Sequence, residues 1–115
     1  MLFSLDPENP GPLFVQIAAA IRRAMSTGDV TPGETLPPAR TLAATVGVNM
    51  HTVLRAYAVL EAEGLLRVRR GRGAIVLDIA PQRIELRERA AGLLAAARAH
   101  GLNTDDVIRL IREIP

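Results

Sequence analysis

The chain has 115 residues, 49% of them apolar, with one tyrosine, two phenylalanines, no tryptophan, no cysteine and a formal net charge of +2. That length holds one domain with a modest core plus an appendage, and the composition excludes a large multi-domain enzyme, a disulfide scaffold, a thiolate metal site and a disordered chain. The opening "MLFSLDPENP" lacks the basic start and apolar run of an export signal, and no uninterrupted apolar stretch reaches the roughly 18 residues of a membrane span, so a cytoplasmic protein without membrane contact is expected.

A first helix is signalled by "PGPLFVQIAAAIRRAMSTG". Pro12 suits a first-turn position, Gly28 stops the helix after Thr27, and Leu13, Ile17, Ile21 and Met25 recur every fourth residue as one core-facing stripe. Arg22 and Arg23 lie off that stripe, and at least one of them is expected to be simply solvated. "TPGETLPP" then carries a turn at Pro32-Gly33 and a short extended piece at Thr35 and Leu36, and its two prolines forbid helix until Pro38 itself opens one. The second helix, "PARTLAATV", breaks at Gly47. "VNMHTVLRAYAVLEAEG" resumes the helical pattern as far as Gly64, with Asn49 placed to cap it and Val53, Tyr57 and Leu60 facing inward. Two short helices joined at a glycine predict a helix-turn-helix in which Ala43 permits close approach, Gly47 takes a positive φ and Val53 locks the second helix to the core.

After Gly64 the period changes to two. Leu66 and Val68 alternate with Arg67 and Arg69, "RGRG" forms a tip, and "AIVLDI" returns, which predicts a β-hairpin with "ETL" available as a third short strand. A hairpin in that place is the wing of a winged helix. A phosphate-binding loop is excluded, because Gly71-x-Gly73 is followed by no Gly-Lys-Ser/Thr and lies in a hairpin instead of between strand and helix. Pro81 opens a different texture, an alanine-rich helix "PQRIELRERAAGLLAAARAHG" with Glu85 and Arg89 at the supportive i, i+4 spacing. The last helix, "NTDDVIRLIREIP", is capped by Asn103 or Thr104, with Asp105 and Asp106 in its first turn and Arg109 and Arg112 near its end, as the helix dipole favours. Its aliphatics Val107, Ile108, Leu110, Ile111 and Ile114 exceed what two helices can bury on each other, so they are expected to dock on the first domain or, as the preferred reading, on a second copy of the chain. The expected fold class is mainly α with a small β-hairpin or sheet: a winged helix-turn-helix over residues 1–80, followed by a two-helix dimerisation extension over 81–115.

All fourteen basic residues are arginine. Six of them, Arg40, Arg55, Arg67, Arg69, Arg70 and Arg72, fall in a stretch whose acids are Glu61 and Glu63. Such a local field is either a solvated surface or the footprint of a polyanion.

The ordered set "GETLPPAR" at 33–40, "LA" at 42–43, "GV" at 47–48, "TV" at 52–53, "LEAEGLL" at 60–66 and "RRGRG" at 69–73 resembles the GntR family of bacterial transcription regulators. The resemblance covers residues 12 to about 79. The short tail and "VNMHTVLRAY" are most similar to its YtrA-type branch, whose members are small dimers that often control transporter operons. The sequence departs from the pattern at Pro38, where a Ser or Thr cap is usual, at Met50 and His51, where Pro and Asn are frequent, and at Leu54, where other branches place an arginine. The resemblance implies a DNA-binding regulator, in expectation a repressor, that binds double-stranded DNA as a homodimer on an inverted repeat.

In that arrangement the second helix enters the major groove with Asn49, Met50, His51 and Thr52 foremost and Arg55 one turn on. Asn49 and His51 offer hydrogen bonds to bases, Thr52 a hydroxyl to base or phosphate, and Met50 apolar contact only; His51 as a solvated surface residue, and Arg55 paired with Glu61 or Glu63, are the plain alternatives. Arg40 can donate a forked pair of hydrogen bonds to phosphate or guanine, or form a surface ion pair. At the tip, Gly71 and Gly73 allow tight turning while Arg70 and Arg72 project toward a minor groove, and Arg67 and Arg69 supply field or phosphate contacts. No enzyme, cofactor or metal site is expected, since the two histidines are His51 and His100 and no nucleophile–base constellation is visible. The rival reading is a winged helix that binds protein or RNA. With about 35 residues after the wing, one chain builds no enclosed effector pocket, so any signal is expected at the dimer interface or on the N-terminal segment.

Overall fold

In chain order the elements are α1 (Leu13–Thr27), β1 (Thr35–Leu36), α2 (Ala39–Val46), α3 (Met50–Ala62), β2 (Leu66–Arg69), β3 (Gly73–Val76), α4 (Ala80–Ala99) and α5 (Thr104–Arg112). This is a computed structural model that describes residues 5, 6 and 8–115; the reading of "MLFSLDPENP" as no export signal falls half on residues outside that set. Among the described residues, five helices and a three-stranded antiparallel sheet make up the winged helix-turn-helix and the helices that follow it. Two compact units are present, Met1–Ile84 and Glu85–Pro115.

The core of the first unit is aliphatic because the chain has few aromatics to offer. From α1 it takes Ile17, Ala18, Ile21, Ala24 and Met25, and from α3 it takes Val53, Ala56, Tyr57 and Leu60. Leu13 departs from its expected place in this stripe, being 45% exposed. It lies in the first turn, where Phe14 packs against the core in its stead. Pro12 is the residue before the helix instead of its first member, with φ −57° and no side-chain cap, and Gly28 ends α1 at φ 85°. Between α2 and α3, Gly47 adopts φ 75° and its N–H donates to the Ala43 carbonyl at 2.9 Å. The N–H of Val48 reaches the same carbonyl at 3.0 Å, which closes the turn of the helix-turn-helix. Ala43 and Val53 are both buried there.

The sheet has the order β1-β3-β2. β2 pairs with β3 through Leu66↔Val76, Arg67↔Ile75, Val68↔Ala74 and Arg69↔Gly73, and "ETL" supplies the third strand as Thr35↔Ile75 and Leu36↔Ala74. This register sends Leu66 into the core and leaves Arg67 and Arg69 outside. Gly73 does more than turn the chain. It has φ +87°, and a Cβ on it would overlap the Leu36 carbonyl oxygen and sit 2.9 Å from the Pro37 carbonyl carbon.

In the second unit, α4 closes at Gly101, with the Leu102 N–H donating to the Ala97 carbonyl at 2.9 Å. The start of α5 is a capping box: the Asn103 side chain accepts from the Asp106 N–H, and the Asp106 carboxylate accepts from the Asn103 N–H, each at 2.9 Å. The cap is therefore Asn103 and not Thr104. The Asn103 N–H, followed by the Arg109 guanidinium, holds the Asp106 carboxyl below its ordinary range. Of the aliphatics on α5 only Val107 is buried, while Ile108, Leu110 and Ile111 are 40–51% exposed. Among the described residues no helix is long and apolar enough to cross a membrane.

Gly47 and Gly73 share a left-handed backbone but differ in surroundings, since nothing lies within 4 Å of a Cβ built on Gly47. Gly47→Ala is expected to lose about 1–2 kcal/mol, the cost of the left-handed conformation alone. Gly73→Ala adds steric overlap and is expected to lose about 3 kcal/mol or more. Urea denaturation of the two variants checks this; equal losses would show that the Leu36 carbonyl does not confine position 73.

Candidate nucleic-acid interface

The first turn of α3 is organised by its cap. Asn49 is extended, with φ −71° and ψ 141°, and its Oδ1 accepts the His51 N–H at 2.7 Å, satisfying one of the free N–H groups at the helix start. The amide nitrogen of Asn49 is left as the group that can donate outward. Met50 is half-buried against the core, His51 is exposed, Thr52 is half-buried and Arg55 is exposed. The Arg55 guanidinium lies over the Phe14 ring, 3.9 Å from its centroid. Leu13, Phe14, His51, Thr52 and Arg55 line a shallow cleft of about 360 Å³.

On the other side of α3 a groove of about 920 Å³ runs between the start of α2, the middle of α3 and the hairpin. Its floor includes Met50, Leu54, Tyr57 and Val68, and its walls carry Arg40, Arg69, Arg70 and Gly71 together with one acid, Glu61. Arg40 is thus brought to the hairpin arginines from thirty residues away by two contacts. The Tyr57 hydroxyl donates to the Pro37 carbonyl at 2.7 Å, and the Leu42 N–H donates to the Pro38 carbonyl at 3.0 Å in the opening turn of α2. Pro38 offers no side-chain cap, in keeping with the missing hydroxyl noted in the sequence.

The hairpin tip is Arg70, Gly71 and Arg72, closed by the Arg72 N–H donating to the Arg69 carbonyl at 2.9 Å. Arg70 and Arg72 are both exposed, but Arg70 belongs to the groove wall and Arg72 does not. Arg69, grouped by alternation with Arg67, lines the groove with Arg70. Sequence spacing alone could not separate these pairs, because the twist of a short hairpin decides which side chains lean toward α3.

The arginines sort by what holds them. Arg22 makes a two-point ion pair with Glu63, Nε to Oε1 at 3.0 Å and Nη2 to Oε2 at 2.9 Å, so it is tied into the scaffold while Arg23 is exposed. Arg83 donates from Nε to the Glu63 carbonyl at 2.9 Å. Glu61 accepts the Val68 N–H at 2.7 Å, tying α3 to β2. Both candidate acids for Arg55 are therefore engaged elsewhere. Among the described residues Arg40, Arg55, Arg69, Arg70 and Arg72 form no ion pair, and no cluster of His, Asp or Glu could hold a metal ion. Such a surface offers forked N–H donors above an apolar floor, the chemistry that suits phosphates and the guanine edge.

Comparison with known proteins agrees on one family. The bacterial regulatory proteins of the gntR family match residues 13–76. The HTH-type transcriptional repressor YtrA of Bacillus subtilis is 29% identical over 98% of this chain and 92% of its own length. The solved structure of YtrA from Sulfolobus acidocaldarius, a GntR-family transcription factor, superposes with a TM-score of 0.63 at 31% identity, covering 97% of this chain and 98% of that one. The DNA-binding domain of AraR in complex with operator ORX1 superposes with a TM-score of 0.56 at 28% identity, covering 65% of this chain and 92% of that one.

Tyr57, the single tyrosine, is the anchor of the groove floor, and burial pushes its phenol from 10.0 to about 12. The folded state thus keeps the neutral form, so stability is full below the ordinary tyrosine pKa and is lost as pH rises from 10.0 toward about 12. Spectrophotometric titration should show no tyrosinate until that upper range or until unfolding. Tyr57→Phe removes the partner of the Pro37 carbonyl and is expected to lower stability by about 1–2 kcal/mol in denaturant; a phenol that titrates normally, with no loss in the variant, would contradict the buried hydrogen bond.

Proposed function

The chain belongs to the gntR family of bacterial regulatory proteins, and from that premise we propose that it is a cytoplasmic repressor that binds an inverted-repeat operator as a homodimer and blocks transcription by occupying the promoter. DNA binding and transcription regulation come with the family. The observation that carries the finer reading is the groove between α3 and the hairpin, where Arg40, Arg69 and Arg70 converge without ion pairs and the acid in the lining, Glu61, accepts the Val68 N–H. Double-stranded DNA fits this surface: α3 presents Asn49, Met50, His51, Thr52 and Arg55 to base edges, and Arg40 and the hairpin arginines grip the sugar-phosphate backbone on either side. Arg70, Gly71 and Arg72 reach the neighbouring minor groove or its phosphates, where arginine is favoured. AraR, whose DNA-binding domain shares this fold, is seen on its operator, which supports duplex DNA over RNA or protein as the ligand.

One subunit makes only a few base contacts, each worth about 1–3 kcal/mol of discrimination, and too few to single out one operator in a genome. Pairing two subunits doubles the contacts and imposes two-fold symmetry on the site. Residues 81–115 are the natural pairing extension, because α5 leaves Ile108, Leu110, Ile111 and Ile114 exposed.

The protein should select a palindromic duplex from a random-sequence pool, and its affinity should fall steeply with salt. Arg72→Ala is expected to weaken binding and to lower the salt slope by about 1, the share of one phosphate contact. Unchanged slope and affinity would remove the wing from the interface. His51→Ala should alter the selected bases, and Ile111→Glu should shift the protein from dimer to monomer in light scattering. Retention of duplexes and RNA hairpins alike, with no enriched sequence, would overturn operator binding.

A further inference from the structure

The cleft between the first turn of α1 and the first half of α3 joins an element outside the helix-turn-helix to the DNA-reading helix. Phe14 is half-buried and packs against the core, so its ring is held by the fold. Arg55 is exposed, and its Cζ lies 3.9 Å from the centre of that ring. Nothing else fixes Arg55: among the described residues it makes no ion pair or side-chain hydrogen bond, and Glu61 and Glu63, the nearest acids in sequence, are engaged by Val68 and Arg22. A guanidinium stacked by its face keeps its N–H edge available, whereas one held by a carboxylate does not.

We infer that Phe14 is a positioning residue for DNA recognition: its ring is a platform that fixes Arg55 in the orientation in which its N–H fork meets DNA. The inference rests on the DNA-binding reading above and adds an α1 residue to it. A free arginine on a helix surface must be ordered when it binds, and that ordering weakens the complex. Stacking on a ring that the core already holds removes part of this loss before DNA arrives. Leu13, exposed at 45% beside Phe14, lines the same cleft together with the polar His51 and Thr52.

The test is a double-mutant cycle on the duplex that the wild-type protein selects from a random pool, with binding and thermal unfolding followed for Phe14→Leu, Arg55→Gln and the double variant. Phe14→Leu is expected to weaken binding about two- to fivefold, the range of an exposed cation–π contact, and to have no further effect once Arg55 is Gln. Phe14→Trp, which keeps a cation-binding face, should bind as tightly as wild type or more so, again only while Arg55 is present. In the free protein, the Arg55 Nε–H resonance should carry a ring-current shift that Phe14→Leu abolishes. Equal loss with and without Arg55, or no loss in either, overturns the inference while leaving operator binding intact. If Phe14→Leu fails to fold, Phe14→Trp in the two Arg55 backgrounds decides, and a Trp effect independent of Arg55 is again negative. Failure of the wild type to enrich any duplex instead overturns the DNA reading, and this inference with it.

Discussion

Val53, Ala56, Tyr57 and Leu60 are each at most 1% exposed, and this buried stripe sets the rotation of α3 about its own axis. An α-helix advances about 100° per residue, so a roll by one position would drive Leu54 inward and lift Val53 into water. The two-point pair between Arg22 and Glu63 adds a lock at the far end, where α3 finishes against α1. With the rotation fixed, His51, Leu54 and Arg55 have no direction left but outward. The presented face is thus the geometric complement of the packing face, and core substitutions that let α3 roll would be felt first at the interface.

The hairpin is placed by a second constraint that converges on the segment 36–38. Leu36 pairs with Ala74, its carbonyl fills the space that any side chain on Gly73 would need, and the next carbonyl, of Pro37, accepts the Tyr57 hydroxyl. Sheet, α3 and the start of α2 therefore meet at one short piece of backbone. Because Pro38 and Ala39 continue directly into α2, the same piece carries Arg40 to the groove. Prolines at 37 and 38 suit this role: neither has an N–H to satisfy, and both restrict the chain before the helix begins.

Local periodicity made most of this legible before any coordinates. The aliphatic stripes of α1 and α3, the glycine break at 47, the switch to period two after Gly64 and the strand at Thr35 all report burial, and burial repeats with the geometry of each element. What stayed hidden depends on partners far apart in sequence or on side-chain direction. The sequence does not separate Arg22 from Arg23 until Glu63, forty-one positions later, is seen beside Arg22. Leu13 matches the spacing of the α1 stripe, yet Phe14 packs inward at the helix start, because a first turn at the margin of the core is not bound by the stripe that governs the middle. Arg69 lines the groove beside Arg70, which alternation does not foretell, because alternation names a strand face but not the lean of a long side chain.

The exclusive use of arginine takes on physical meaning when each guanidinium is considered as a plane with an edge. Arg22 commits its edge to Glu63 and becomes part of the scaffold, and Arg83 commits Nε to the Glu63 carbonyl. Arg55 lies over the Phe14 ring instead, with no carboxylate on its edge, and Arg40, Arg69 and Arg70 stand at the groove without ion pairs, its acid Glu61 being engaged by the Val68 N–H. A lysine could not reproduce the contacts of Arg22 or Arg55, since a single ammonium can neither fork across a carboxylate nor stack flat on a ring. Residue type alone therefore does not separate binding arginines from structural ones. The division follows from what the acids bind: Glu63 holds Arg22 at the end of α3, and Glu61, although it lines the groove, accepts the Val68 N–H, so the groove arginines keep their N–H edges free of ion pairs.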